Sequence, residues 1–472
     1  MIFASQNFKR NKFIFTEPDY IEERGNNYLL IWGNLQHWMI VDSEFYSFLR
    51  KLNGKISIAS LKKNDINFNN LYKPIVCELK KLLKIGVLTK KNVQAKQKSY
   101  STKKYCIENI ALNITSKCNL RCKFCYNINN LNSESDELTA GEIISLLKSV
   151  KPFLSKSPSL TILGGEPLIK LNKLKTVLEY AAKNGFVILI STNGILITEE
   201  FAQYAAKINL QVQISIDGHN SKLNDEIRGQ GCFEKLIAGT EILVKHNVYT
   251  ILSLVCHNEN LQYLKNFYEL ATNLNVNEAR FIPLKNIGAA KENQVKEAST
   301  TEIMLSTAQL FKDNPKFLKL AGRDMFSITA FLCSLGNYRP SCGIGLQTFL
   351  LDADGTIYPC LNTNSAKFKI ANIREDDFNF KEMWYNSNIL QEVRNSTTVE
   401  NMNPYCQKCF VKHWCLGGCR GENFYNNGNL NTPAVNCKNL KQSFLEIFWI
   451  LSENNAILNN QPKKNLKNIF LN

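Results

Sequence analysis

Residues 107–127 read IENIALNITSKCNLRCKFCYN. The segment opens on a β-like apolar run, Ile107–Thr115, and passes directly into Cys118-x3-Cys122-x2-Cys125. Three thiolates on one short loop can hold three irons of a cubane cluster and leave the fourth iron open to a ligand. Taken without context, the same loop could be a zinc site short of one ligand. The chain of 472 residues has 15 Cys and a formal charge of +16. Its N-terminal MIFASQNFKRNKFIF has no apolar run followed by small residues, so no secretory signal is expected and the expected location is cytoplasmic. Thiols stay reduced there, and short-spaced cysteines then point to metal rather than disulfides. No stretch reaches the ~20 apolar residues of a membrane span.

Outward from that strand, apolar runs alternate with amphipathic helices. Leu160–Leu163, Phe186–Ser191, Gln211–Ile216, Thr250–Val255 and Arg280–Leu284 read as strands, and Leu171–Asn184, Glu199–Lys207, Phe233–His246 and Leu261–Leu274 as helices. Strand–helix repetition of this kind means parallel βαβ units. Six repeats over residues 105–290 predict an α/β fold with a partial (β/α)6 TIM-like barrel. Residues 291–332 read as a helical bridge, 333–437 as a cysteine-rich domain, and 438–472 as a helix (438–458) and polar tail.

The strand ends carry polar tetrapeptides: Gly164-Gly165-Glu166-Pro167, Ser191-Thr192-Asn193-Gly194 and Ser215-Ile216-Asp217-Gly218, with Arg228-Gly229 shortly after. Each alone is ordinary turn chemistry; together they face the end where barrel enzymes react. With the cysteine loop ahead of them, the chain resembles the radical S-adenosylmethionine enzymes. The resemblance implies that Cys118, Cys122 and Cys125 ligate a 4Fe–4S cluster. It also implies that Gly164, Gly165, Glu166, Pro167, Ser191, Asn193, Ser215, Asp217 and Arg228 contact S-adenosylmethionine. Reductive cleavage of that cofactor supplies a 5′-deoxyadenosyl radical, and the protein aims it.

A second group, Cys342-x12-Gly355-x4-Cys360, then Cys406-x2-Cys409-x5-Cys415-x3-Cys419 and Cys437, is similar to the SPASM domain of radical enzymes that modify peptides and proteins. Bare, the knuckles could be structural zinc. The resemblance assigns Cys406, Cys409, Cys415 and Cys437 to one auxiliary 4Fe–4S cluster. Cys342, Cys360 and Cys419 go to another, with Cys333 as the expected fourth ligand. Cys77, Cys106, Cys232 and Cys256 are then expected to be small buried hydrophobes, Cys232 lying close to the strand ends. Sulfatase-maturing relatives carry an Asp directly after the second cysteine of the group; here Leu361 stands there. No His or acid is assignable as a catalytic base.

Residues 1–90 read as a separate α+β unit with winged-helix character. It has a strand at Phe13–Phe15, a hairpin of Tyr28–Trp32 and His37–Val41 about Gly33-Asn34, a helix capped by Asp42 or Ser43 and ended by Gly54, and a last helix from Pro74 to Gly86. Three strands then three helices ahead of such a core resemble a RiPP recognition element, a module that binds the leader of a ribosomally made precursor peptide. The leader would add as a strand beside Trp38–Val41 and pack on the last helix. Residues 51–104 hold 14 Lys or Arg against Asp65 and Glu78, and 91–104 form a basic linker. A nucleic-acid binder is the alternative for this charge; a solvated face or attraction to an acidic leader explains it as economically. The expected function is a peptide maturase that abstracts hydrogen and forms a thioether or carbon–carbon cross-link. Flavodoxin or ferredoxin would donate electrons. Peptide epimerisation, backbone excision and sulfatase or quinohemoprotein maturation are the enzymatic alternatives, and a binding scaffold the non-enzymatic one.

Overall fold

The structure, a computed structural model, describes residues 11–58, 60, 68–90, 106–133, 136–322, 325–335 and 340–453. Its centre is a parallel sheet of β7 (Ile107–Asn113), β8 (Leu154–Leu163), β9 (Val187–Thr192), β10 (Gln211–Ser215), β11 (Tyr249–Cys256) and β12 (Glu278–Pro283), side by side in chain order. Helices Leu171–Lys183, Glu199–Lys207, Cys232–Lys245 and Leu264–Asn273 lie between consecutive strands. Each lays an apolar stripe on the sheet; Leu174, Val177, Leu178 and Ala181 form one. The strands are apolar on alternate positions or more, as expected where helices cover one face and the barrel interior fills the other.

A seventh parallel strand, not expected from the sequence, joins the other side of β7. β13 (Thr348–Leu351) pairs in parallel with it, Thr348 opposite Asn109. β14 (Thr356–Tyr358) and β15 (Ala371–Asn372) continue antiparallel, so the order among the described residues is β12-β11-β10-β9-β8-β7-β13-β14-β15. Among the described residues β12 and β15 are the edges of this sheet. The cysteine-rich region is therefore hydrogen-bonded into the barrel sheet, not tethered to it.

The N-terminal unit departs from three strands followed by three helices. β2 (Tyr20–Arg24), β3 (Asn27–Trp32) and β4 (His37–Asp42) form one antiparallel sheet, and β5 (Asn53–Ser57), β1 (Lys12–Phe15) and β6 (Leu88–Lys90) another. Gly54 lies within β5 rather than at a helix end, and the last helix starts at Phe68, upstream of Pro74. Asp42 does cap helix Ser43–Arg50, accepting from Phe45 N at 2.7 Å. β2 escaped the sequence reading because Glu22, Glu23 and Arg24 give it a polar face.

β3 joins two cores. Its odd residues Leu29 and Ile31 belong to the main apolar cluster and its even residues Leu30 and Trp32 to the N-terminal one, with Phe13, Phe48, Leu49, Leu79 and Leu82. Alternation along a strand puts these sets on opposite faces. The first face packs on helix Cys437–Glu453: the Trp38 and Phe448 rings are 4.8 Å apart, and Arg24 forks onto Glu446 at 2.8 and 2.9 Å. Tyr20 stacks on Phe410 at 4.1 Å. No helix among the described residues is long and apolar enough to cross a membrane. The linker 91–104 and the tail beyond 453 lie outside the described residues.

Candidate active site

β7 ends at Asn113, and the loop that follows carries Cys118, Cys122 and Cys125 over the carboxyl ends of β8–β10. The loop is held by its neighbours. Gly165 N donates to Thr115 O and Glu166 N to Lys117 O, each at 2.8 Å, while Ala289 N donates to Cys125 O at 3.0 Å. A Cβ on Gly165 would stand 2.2 Å from Lys117 O, so the glycine is what admits the loop backbone. Glu137 accepts from Ser116 N and Thr115 Oγ1 at 2.8 and 2.6 Å.

The three thiols lie within one another's electrostatic reach. Burial raises all three, and Cys122 is pushed up to about 12, with Asp217, Cys125 and Cys118 adding to the rise and Arg228 opposing it. Neutral thiols do not ligate; thiolates here need a strong cationic partner in the loop, which iron supplies. Among the described residues no three His, Cys, Asp or Glu side chains converge on a single ion. In a cubane each thiolate binds a different iron, so its ligands need not meet at one ion.

The strand-end residues are held in three short polar chains. Glu166, 1% exposed, accepts from Leu168 N at 3.0 Å, Thr192 Oγ1 at 2.7 Å and Asn193 N at 2.8 Å. Asn193 Nδ2 donates to Asn119 Oδ1 at 2.8 Å, tying β9 to the cysteine loop. Ser191 Oγ accepts from Gln213 Nε2 at 3.1 Å, and Gln213 Oε1 from Arg280 Nη1 at 2.6 Å. Arg228, 8% exposed, already has its carboxylate: Asp217, 0% exposed, at 2.6 Å. Ser215 ends β10, half-buried beside them. Thr192 was not singled out from sequence, though its hydroxyl holds Glu166.

The second group divides in two. Cys360, pushed up to about 12 by burial, is under the influence of Cys419, Cys342 and Lys285. Cys415, also raised by burial to about 12, is under Cys409 and Cys437, and Cys409 under Cys437 and Cys406. Asn364 Nδ2, four residues after Cys360, donates to Asn127 Oδ1, two residues after Cys125, at 3.0 Å, so the two cysteine-bearing loops meet. Asp352 is an acid the sequence did not single out. It accepts from Asn113 Nδ2 at 2.9 Å, and burial raises its carboxyl. It follows β13, whose place beside β7 was unexpected.

Cys333 was the expected fourth ligand of the Cys342, Cys360 and Cys419 set. It is 2% exposed in the main apolar cluster, on helix Met325–Leu335, with burial as the sole influence on its thiol and no cysteine acting on it. Its carbonyl accepts from Trp38 Nε1 at 2.9 Å. The helix is apolar nearly all round, so Cys333 packs as a small hydrophobe. Of the four cysteines expected to be buried, Cys232 and Cys256 are, while Cys77 and Cys106 are exposed.

Residues 112–271 match the Radical SAM superfamily, and residues 342–410 match SPASM, an iron-sulfur cluster-binding domain. The chain carries radical SAM and SPASM domains. They imply S-adenosylmethionine and 4Fe–4S clusters as cofactors. Similar proteins include the mycofactocin maturase MftC of Mycolicibacterium smegmatis, 27% identical over 69% of this chain and 81% of that protein. An AdoMet-dependent heme synthase of Methanosarcina barkeri is 25% identical over 68% and 93%. A cysteine-type anaerobic sulfatase-maturating enzyme of Clostridium novyi is 27% identical over 70% and 92%. In fold, the chain is similar to anSMEcpe with bound AdoMet (TM-score 0.61, 21% identity, 74% of this chain and 99% of that one). Streptococcus suis SuiB bound to precursor peptide SuiA gives a TM-score of 0.53 at 17% identity, over 90% of this chain and 98% of that one.

Proposed function

We propose that the protein is a radical S-adenosylmethionine maturase of a ribosomally made precursor peptide. The observation that carries the reading is the loop of Cys118, Cys122 and Cys125, clamped to the carboxyl ends of the barrel strands and bonded through Asn127 to Asn364 of the second cysteine region. Cys118, Cys122 and Cys125 would hold the cluster that binds S-adenosylmethionine, and Gly164–Pro167, Ser191, Asn193, Ser215, Asp217 and Arg228 would surround that cofactor. In this reading the Asp217–Arg228 pair shapes the pocket, and Glu166 fixes Thr192 and Asn193 while its remaining lone pairs face the ligand. Cys406, Cys409, Cys415 and Cys437 would hold one auxiliary cluster and Cys342, Cys360 and Cys419 another. When bound, the cofactors supply a 5′-deoxyadenosyl radical for hydrogen abstraction and an acceptor for the electron left after bond formation.

The substrate would enter through residues 1–90, with the leader added to the β4 edge. Support comes from the sheet's free edge and from the likeness to SuiB, which extends over more of the chain than the likeness to anSMEcpe, by a share comparable with this unit. The product would be an oxidative thioether or carbon–carbon cross-link, with flavodoxin or ferredoxin as electron donor. A second reading, a tetrapyrrole substrate, draws on the heme synthase of similar identity. The test is anaerobic turnover. Reduced, reconstituted protein should form 5′-deoxyadenosine from S-adenosylmethionine, and replacing Cys118, Cys122 and Cys125 by Ala should abolish it. Its formation by the triple variant would refute the site.

A further inference from the structure

Arg420 directly follows Cys419 and is the first residue of helix Arg420–Asn427. It is 1% exposed. Among the described residues no carboxylate forms an ion pair with it. Its Nη1 and Nη2 donate to Leu430 O at 3.2 Å and Thr397 O at 3.4 Å, and its Nε has no partner. The loop wraps the guanidinium: a Cβ on Gly417, at φ +79°, would stand 2.5 Å from Arg420 Cζ. A buried cation without a counter-charge costs several kcal/mol, and a helix N-terminus, the positive end of the dipole, adds to the cost. Gly417 lies between Cys415 of one auxiliary set and Cys419 of the other, so the guanidinium sits on the loop that joins the two sets; Cys342, Cys406, Cys415 and Cys419 all favour its charged form.

A second cation approaches from the barrel. Lys285, just beyond β12, reaches Cys419 Sγ with its Nζ at 3.4 Å, and Asn362 Nδ2 donates to the same sulfur at 3.5 Å. Lys285 shares a cavity of about 250 Å³ with Cys415, Cys419 and Glu422, whose carboxyl faces it. We propose that Arg420 is the shared counter-ion of the two auxiliary clusters and Lys285 a second counter-ion on the Cys419 side. Both then act as positioning residues that raise the clusters' reduction potentials. The inference rests on the auxiliary-cluster assignment made above. Reduction adds one negative charge to a cluster, and a nearby cation or hydrogen bond to sulfur stabilises the reduced form. Arg420 packs on Gly417, in the loop that joins Cys415 of one set to Cys419 of the other, so it favours reduction of both.

The experiment is a reductive titration of the anaerobically reconstituted full-length protein, followed by electron paramagnetic resonance. Arg420→Gln should lower both auxiliary midpoints, by at least the tenfold change in reduced-to-oxidised ratio that corresponds to ~59 mV for one electron. The cluster of Cys118, Cys122 and Cys125 should not move, and Arg420→Lys should restore most of the shift. Lys285→Met should lower one auxiliary midpoint only. It also decides the matter if Arg420→Gln fails to retain iron. Unchanged auxiliary midpoints in both variants, or an equal shift of all three clusters, would overturn the proposal. Iron content separates the two claims: wild-type protein with only about four irons would refute the auxiliary clusters themselves.

Discussion

Asp217 and Arg228 form a buried ion pair between the end of β10 and the end of the following helix. Breaking such a pair from one side leaves an uncompensated charge, at a cost of about 3–5 kcal/mol. Arg228→Met should therefore lower the unfolding free energy by that amount in chemical denaturation. Adding Asp217→Asn should recover a large part of it; no recovery would show that Arg228 acts by packing alone. The motifs made Glu166, Asn193, Asp217 and Arg228 legible as residues at strand ends. What they did not disclose is each partner: Thr192 Oγ1 and the Asn193 backbone amide for Glu166, Asn119 for the Asn193 side chain, and Arg228 for Asp217. Thr192 and Asp352 were hidden for separate reasons, Thr192 inside a motif read for its neighbours and Asp352 at the end of a strand whose partner lies more than two hundred residues upstream. Spacing along the chain did not disclose that Cys333 lies in the main apolar cluster.

Sheet β2-β3-β4 is an element with two buried faces, and its behaviour should follow from that. Trp38→Ala would remove the contact with Phe448 and the bond to Cys333 O, destabilising the fold toward the low end of the roughly 3–5 kcal/mol typical of aromatic truncation. His37, on β4, is pulled down from 6.5 to about 4 by burial, against a small opposing influence of Glu78. The unfolded chain takes up this proton first, so the contribution of His37 is complete above pH 6.5 and is lost as pH falls through 6.5 toward 4. His37→Asn should flatten that part of the stability profile; an unchanged profile would contradict the burial account. If a leader adds to β4, hydrogen exchange of His37–Asp42 should slow on addition of the precursor peptide encoded nearby, and unchanged exchange would refute the docking edge. Deleting the whole module would strip cover from Phe410, Phe448 and Trp449, so single substitutions are the cleaner probe. The barrel strands were legible because each is a compact apolar run between amphipathic helices. β2, β5 and β13 were not, being short or polar on one face and fixed by partners distant in sequence.

The whole molecule presents three cysteine sets on one rigid frame, because β13 hydrogen-bonds the SPASM domain to the radical SAM sheet. Reconstituted protein should bind about 12 irons, and replacing Cys118, Cys122 and Cys125 should remove about four. Cys333→Ala should leave every cluster spectrum unchanged, since that thiol lies in the apolar core; a changed auxiliary spectrum would return it to the ligand set. The radical SAM and SPASM regions were open to sequence reading because cysteine spacing marks them. The docking of the N-terminal unit onto the last helix was not, because it depends on which face of β3 each residue takes. The claim at the centre of the account is that a peptide is the substrate. It is tested most directly by mass spectrometry of the nearby-encoded precursor after anaerobic incubation with the reduced protein and S-adenosylmethionine. The account predicts a peptide lighter by two hydrogens, formed together with 5′-deoxyadenosine and absent with the triple-cysteine variant. Release of 5′-deoxyadenosine with the peptide mass unchanged would contradict it.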